Sequence, residues 1–332
     1  MSNKRILVPG GAGYIGSHAV KALIESGAEV VVVDNLETGF PQAVDPAAKF
    51  YQGDIRDKAF LDNLFEREPI NAVIHFAAYS QVGESMEIPL NYYDNNVNGT
   101  RVLLASMLEH GVKNIVFSST AATYGEPRNI PILESDPTEP TSAYGGTKLT
   151  MEQMMHWAAG AYGLRYVSLR YFNACGAHEN GQIGEAHSPE SHLIPLILEV
   201  PNGKRPYISI FGEDYPTRDG TCVRDYIHVV DLAQAHLLAA DYLLAGERSN
   251  IFNLGNGVGF TVKEVIAAAE AVVGASIPSK VVDRRRGDPA QLVASSEKVK
   301  SVLGWKPTRD GLHTILSTAW NWHKHHPNGY GV

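Results

Sequence analysis

The sequence is poor in cysteine, with only Cys175 and Cys222 among 332 residues. That excludes a secreted framework held by disulfides. It also has no uncharged apolar run near 18 residues, so no membrane-spanning helix is expected. Positive charge is scarce: Lys+Arg 28 against Asp+Glu 36 leaves a net charge of −8. A general nucleic-acid-binding surface is thereby excluded, although a compact basic spot can still hold a small phosphate ligand. The opening run MSNKRILVPGGAGYIG passes from charge into a strand and a glycine turn, leaving no room for a signal h-region. A cytoplasmic protein is expected, in which the Asn98-Gly99-Thr100 sequon carries no weight. Apolar residues at 44% and charged residues at 19% are globular proportions, and the length suits about two domains.

The first half alternates short apolar runs with helical patterns. Strands are expected at Arg5–Pro9, Glu29–Asp34, Lys49–Tyr51, Ala72–Phe76, Asn114–Ser119 and Arg165–Tyr171. Val30-Val31-Val32-Val33 is apolar throughout, as a strand covered on both faces must be. Helices are expected near Ile15–Ser26, Lys58–Arg67, Tyr93–His110 and Thr147–Tyr162. This alternation predicts an α/β fold, a Rossmann-type doubly wound parallel sheet with right-handed crossovers. After Asn173 the chain turns rich in Gly, Pro and His, with one apolar helix around His192–Val200, before strands and helices resume at Asp225. The expected division is 1–173 with 225–255 for the sheet, and 174–224 with 256–332 for a smaller, discontinuous C-terminal substrate domain. The second part is expected to fold over the carboxyl ends of the strands, where ligands of open α/β sheets bind.

Gly10, Gly13 and Gly16 follow the first strand and open the first helix in G-x-x-G-x-x-G spacing. Glycines there permit a tight turn and let a pyrophosphate approach the helix N-terminus. Asp34 ends the second strand 18 residues later, where a carboxylate accepts from a ribose diol and repels a 2′-phosphate, favouring NAD over NADP. No Gly-Lys-Ser/Thr follows the loop, so a P-loop is excluded. Downstream, Tyr144 and Lys148 stand at i and i+4 at the start of a helix, on one face. A free tyrosine titrates near pH 10, and a neighbouring ammonium and a nicotinamide cation both favour phenolate. Ser118-Ser119-Thr120 ends a strand and offers a hydroxyl to the same cavity. His178, His187 and His192 lack metal-ligand spacing and a carboxylate partner pattern, so no metal site is expected.

The runs GGAGYIGSH, VVDNL, HFAAYSQVGES, YYDNNVNGT, FSSTAATYG, AYGGTK, LRYFNACGAH, IFGEDYPTRDGTCVRDYIHV, NLGNGVG, RRRGDPAQLVAS and LGW cover nearly the whole chain. Together they resemble the extended short-chain dehydrogenase/reductase family, in its branch of nucleotide-sugar 4-epimerases. The resemblance implies an isomerase that keeps NAD bound and interconverts UDP-galactose and UDP-glucose through a transient 4-keto sugar. Tyr144 would act as the base, Lys148 would hold the nicotinamide ribose, and Thr120 would bond the reacting oxygen. Around the glycine loop, Tyr14 and Ile15 would join the cofactor site. Asp34, Asn35, Leu36, Thr38 and Gly39 would surround the adenosine ribose, and Asp54 and Ile55 would border adenine. Phe76, Ala77, Ala78 and Ser80 would line the cofactor's middle, and Asn95 and Phe172 its nicotinamide half. On the sugar-nucleotide side, Asn173, His192 and Leu193 would meet the diphosphate, and Ser209, Ile210 and Phe211 would cradle uracil. Arg224, Arg285 and Asp288 would bind diphosphate and ribose, and Leu292 would face the hexose. A homodimer packed through the Tyr93–His110 and Thr147–Tyr162 helices is also implied.

Several residues depart from the family pattern. Thr120 stands where many members carry Ser, Ser80 replaces a Lys, His192 an Asn, and Pro9 a Thr before the glycines. Leu292 is smaller than the Tyr of members restricted to unmodified hexoses, leaving N-acetylated, acidic or pentose UDP sugars as an alternative. A 4,6-dehydratase needs an acid and base after the Thr, and Ala121-Ala122 stand there instead. A catalytically silent NAD-binding scaffold would tend to have lost the Tyr144, Lys148 and Thr120 set, which is intact.

Overall fold

The computed structural model describes residues 4–285 and 289–331. Its centre is a seven-stranded parallel sheet. Six strands come from the first half: β1 (Arg5–Pro9), β2 (Glu29–Asp34), β3 (Lys49–Gln52), β4 (Ala72–His75), β5 (Asn114–Thr120) and β6 (Arg165–Tyr171). The strand Asn250–Leu254 completes it outside β6, giving the order Asn250–Leu254, β6, β5, β4, β1, β2, β3. The chain therefore runs outward from β1 in one direction, then returns to β4 on its other side. This is a Rossmann-type doubly wound sheet, and the β1/β4 boundary is its switch point, where a ligand crevice opens beyond the strand ends.

Alternate side chains of the sheet feed two different cores. Ile6, Val8, Val30 and Val32 pack on one face with the helix Val229–Leu244. Leu7, Val31 and Val33 pack on the other with the helices Lys58–Arg67, Gly99–Glu109 and Ala143–Tyr162. All four valines of β2 are buried, which explains its unbroken apolar run. Each such side chain contributes about 1.5–3 kcal/mol of transfer free energy.

A third core lies apart, formed by Ile194, Ile197, Ile208, Ile210, Val265 and Ile315 beneath the helices Leu193–Glu199, Val262–Val273 and Leu312–His325. It also carries the two-stranded pair Ile208–Phe211 and Ser279–Val282. This separate core supports the proposed division of the chain, with one qualification: Val299 and Trp305 join the first core instead. Trp305 also donates its indole N–H to the Asp231 carbonyl at 2.9 Å.

Two helices depart from their expected bounds for local reasons. The long helix begins at Ala143 rather than Thr147, because the Ser142 hydroxyl accepts from the Gly145 N–H at 3.1 Å and carries the start through Gly145-Gly146. Gly163, at φ 70°, ends it. The expected helix Tyr93–His110 is instead a π-helical stretch Tyr93–Asn98 followed by α-helix Gly99–Glu109. The wider turn buries adjacent Asn95 and Asn96, and Asn96 bonds both backbone groups of Tyr79 and the Thr147 hydroxyl.

Candidate functional site

The glycine turn sits at the switch point, and each glycine has a different job there. Gly10 has φ +82°, and a Cβ on it would lie 2.4 Å from the Ala77 nitrogen, against the chain leaving β4. A Cβ on Gly16 would lie 2.1 Å from the Gly10 carbonyl oxygen, so the helix can close on the turn only without a side chain. Gly13 is different. Its only near neighbour would be that same oxygen at 3.4 Å, and it caps the helix Tyr14–Glu25 with no side-chain bond. Backbone N–H groups of that first turn are thus left for a ligand, the arrangement a dinucleotide pyrophosphate requires. The bare backbone cradle fits NAD.

From this turn a groove of about 1020 Å³ runs along the strand ends. Of the expected cofactor residues, Gly10, Gly13, Tyr14, Ile15, Gly16, Asp34, Asn35, Thr38, Asp54, Ile55, Phe76, Ala77, Ala78, Ser80, Asn95, Tyr144 and Lys148 line it. Leu36, Gly39, Phe172 and Thr120 are not among its lining. Two of these act from behind: the Leu36 N–H donates to Asp34 Oδ1 at 2.9 Å, and a Gly39 Cβ would come within 2.9 Å of that same atom. Asp34 Oδ2 accepts from the Ala12 N–H at 3.0 Å, so the carboxylate is fixed by the glycine loop itself. Burial raises the pKa of Asp34, and these two backbone bonds oppose the rise. Asp54 beside it has its pKa lowered to about 2 through Arg56, and it also accepts from Asn35. Glu37, Tyr79, Tyr171, Ala186 and His187 line the groove without having been singled out in the sequence. They lie on turns, at a strand end or in coil, where no periodic pattern points to a cavity.

At the far end of the groove stand Tyr144 and Lys148, both buried on the long helix. The Tyr144 side chain hydrogen-bonds Thr120 at the end of β5. Lys148 Nζ donates to the Ser118 carbonyl at 2.9 Å and lies 5.9 Å from the centre of the Tyr144 ring. Burial pushes the phenol of Tyr144 well above 10 and brings the ammonium of Lys148 from 10.5 down to about 7, with Glu152 opposing the latter. This corrects the expectation that Lys148 lowers the phenol's pKa: with protein groups alone, dehydration outweighs that attraction. Tyr171 adds to the rise on Tyr144, its own hydroxyl accepting from Ser118 Oγ at 2.9 Å or donating in return. Behind Lys148, Glu152 forms a buried ion pair with Arg170, the Nη2–Oε2 distance being 2.6 Å.

The expected sugar-nucleotide residues gather in two places. Phe211 ends a short strand with Ser209 and Ile210, and the Arg285 guanidinium lies 4.0 Å from the centre of its ring. Arg224 pairs in register with Leu292, and it donates to the Val223 and Pro289 carbonyls at 2.9 Å. Asn173 spends its amide on the Asp225 carbonyl at 2.9 Å. Leu193 opens its helix, with His192 as the residue before it. Asp288 lies outside the described residues. Arg284, next to Arg285, is bonded to Asp214 at 2.6 Å and stacks over Tyr215.

One cluster was missed altogether. His187 and His192, expected to have no carboxylate partners, converge with Glu185 and Glu190. The E-x-H-x-x-E-x-H spacing was present in the sequence, but it falls in a coil segment where no helix or strand period predicts convergence.

Comparison with known proteins agrees with this arrangement. Residues 6–255 match the model of the NAD dependent epimerase/dehydratase family. The chain is 60% identical over 327 residues to a UDP-glucose 4-epimerase of Halalkalibacterium halodurans, covering 98% of each. A crystal structure of a UDP-glucose 4-epimerase superposes with a TM-score of 0.97 at 56% identity, covering 99% of this chain and 100% of that one. The Bifidobacterium longum UDP-glucose 4-epimerase in complex with NAD+ and UDP superposes at 0.93 with 40% identity, covering 98% and 100%. The chain belongs to the NAD-dependent epimerase/dehydratase family.

Proposed function

We propose that this chain interconverts UDP-galactose and UDP-glucose by inverting C4 of the hexose, as a resident-NAD isomerase. The observation that carries the reading is one continuous groove joining the glycine turn and Asp34 to Tyr144 and Lys148. Full-length similarity to UDP-glucose 4-epimerases and the structures of relatives with NAD support it.

When bound, NAD supplies the hydride acceptor, and later donor, at C4. The protein's own task is then proton traffic and positioning. Tyr144 removes the proton of the 4-hydroxyl and returns it, while the Thr120 hydroxyl fixes the phenol. A phenol that burial holds protonated needs a compensating positive charge to ionise, so the base is active only when substrate and cofactor are both seated. Lys148 is anchored by Ser118 and shares the cavity. Arg224 and Arg285 would grip the diphosphate, since their planar forks match phosphate oxygens. Phe211, already stacked by Arg285, offers an aromatic face to uracil. Ala121 and Ala122 leave no acid–base pair for dehydration. Leu292, half-buried beside Arg224, would set the size of hexose admitted.

We infer further that the protein is a cytoplasmic homodimer. Cys175 and Cys222 are buried and unpaired, and no helix of the described residues is long and apolar enough to cross a membrane. Trp157, at 74% exposure, and Tyr162 leave apolar surface on the expected dimer helix. Incubation of purified protein with UDP-galactose, UDP-GlcNAc, UDP-GlcA and UDP-xylose tests the activity. UDP-glucose is expected to form from UDP-galactose; no product with any sugar while NAD stays bound would overturn the reading in favour of a scaffold.

A further inference from the structure

The cluster of Glu185, His187, Glu190 and His192 lies in the coil before the helix Leu193–Glu199. One ligand atom of each residue lies within 4.8 Å of all the others. His187 Nδ1 is 3.3 Å from Glu185 Oε1 and 3.3 Å from Glu190 Oε2, and His192 Nδ1 is 3.1 Å from Glu185 Oε1. A tetrahedral ion with bonds of about 2.0–2.1 Å separates its ligands by about 3.3–3.4 Å. The spacing therefore matches a four-coordinate shell before any ion enters it.

We infer that this cluster is a structural site for a Zn2+-class divalent cation, with His187, His192, Glu185 and Glu190 as ligands. The donor set selects the ion. Two carboxylates and two neutral imidazoles bring the site to zero net charge with a divalent metal. Nitrogen donors favour zinc over Mg2+ or Ca2+, which take shells of oxygen. Glu190 is oriented for the role: its Oε1 accepts from the Ser191 and His192 N–H groups at 2.8 Å each, leaving Oε2 turned to His187. Glu185 is almost wholly buried, and the indole of Trp322 bonds its backbone carbonyl at 3.0 Å. A carboxylate buried there without a cation is costly. His192 is exposed, which gives an ion a path in from solvent.

The location suggests what the ion does. Residues 176–192 contain no helix or strand, yet Ala186 and His187 form part of the dinucleotide groove's wall. Tyr14, in the first turn of the glycine-loop helix, donates to the Gly176 carbonyl at 2.6 Å and meets the His187 ring edge-on at 6.1 Å. A metal joining four side chains within eight residues staples this coil against the cofactor site.

The test uses full-length, untagged protein. Elemental mass spectrometry after purification from zinc-supplemented cells is expected to find about one Zn2+ per chain. Protein stripped by chelator and reloaded with Co2+ is expected to give the intense visible absorption of a four-coordinate ion. His187→Ala and Glu190→Gln are each expected to weaken Zn2+ binding by more than about tenfold in a chelator-competition titration. Should either variant fail to fold, the wild-type Co2+ spectrum decides. Chelation should also lower the thermal midpoint, and Zn2+ should restore it. Absence of stoichiometric zinc together with no binding by the stripped protein would overturn the proposal and leave a His–Glu ion-pair cluster only. Binding that both variants preserve would overturn it equally. None of these readouts depends on turnover of a UDP sugar.

Discussion

The two walls of the catalytic cleft are built on different principles. The cofactor side is fixed by backbone: Gly10 and Gly16 fit only because a Cβ would collide with main-chain atoms, and two backbone N–H groups hold the Asp34 carboxylate. The sugar-nucleotide side is built from side chains on short strands. Arg285 is exposed, resting on Phe211, and Arg224 lies at the edge of a two-residue strand. A rigid cradle suits a ligand that stays, and a loosely supported grip suits one that must enter, present both faces of its hexose and leave. The difference teaches that retention of NAD and tolerance of the sugar can be altered separately.

Removing the base itself should have the largest effect. Tyr144→Phe is expected to lower kcat by about a thousandfold while the NAD content of the purified protein stays unchanged. Unaltered turnover in a UDP-galactose assay would remove the phenol from the chemistry. A second effect follows from the depressed Lys148 pKa. Folded Lys148 loses its proton near pH 7 and unfolded lysine near 10.5, so between those values the unfolded chain binds more protons. Stability should therefore rise with pH across that window, by at most about 1.4 kcal/mol per pH unit. Urea unfolding of wild type against Lys148→Met is the measurement, and the variant should show the shallower slope. Parallel slopes would mean that Lys148 stays charged.

Backbone exclusion is the next point of attack. Gly16→Ala should cost about 1–3 kcal/mol because the Gly10 carbonyl must move, whereas Gly13→Ala should leave the melting midpoint nearly unchanged and weaken NAD retention. Equal destabilisation by both would erase the proposed difference between packing and ligand glycines. The smallest effect is expected on the other wall: Arg285→Ala should raise KM for UDP-galactose by about tenfold, or about 1.4 kcal/mol, with little change in stability. A fall in kcat with KM unchanged would refute the assigned grip.

What the sequence disclosed follows from what leaves a local signal. The valines of β2 announce burial on both faces, the glycine spacing announces a turn, and Tyr144 with Lys148 announces one helix face. These features need only near neighbours. Tyr79, Tyr171 and His187 reach the groove from a turn, a strand end and coil, so their positions depend on tertiary closure. Glu152, one turn beyond Lys148, reads as an ordinary helix carboxylate until β6 delivers Arg170 to it. The start of the long helix was hidden by Gly145 and Gly146, and the π-helical stretch by the apolar spacing of Val102, Leu103 and Met107 beyond it.

That widened stretch, Tyr93–Asn98, makes the chain unusually sensitive to length at one place. An ordinary helix turns about 100° per residue, so deleting one amino acid there would restore regular winding and rotate everything downstream by that angle. Leu103 and Met107 would swing away from the sheet, and Asn96 would release both Tyr79 and Thr147. Substitutions can be absorbed locally, but a single-codon loss in these six positions would misalign a whole helix and the groove beside it.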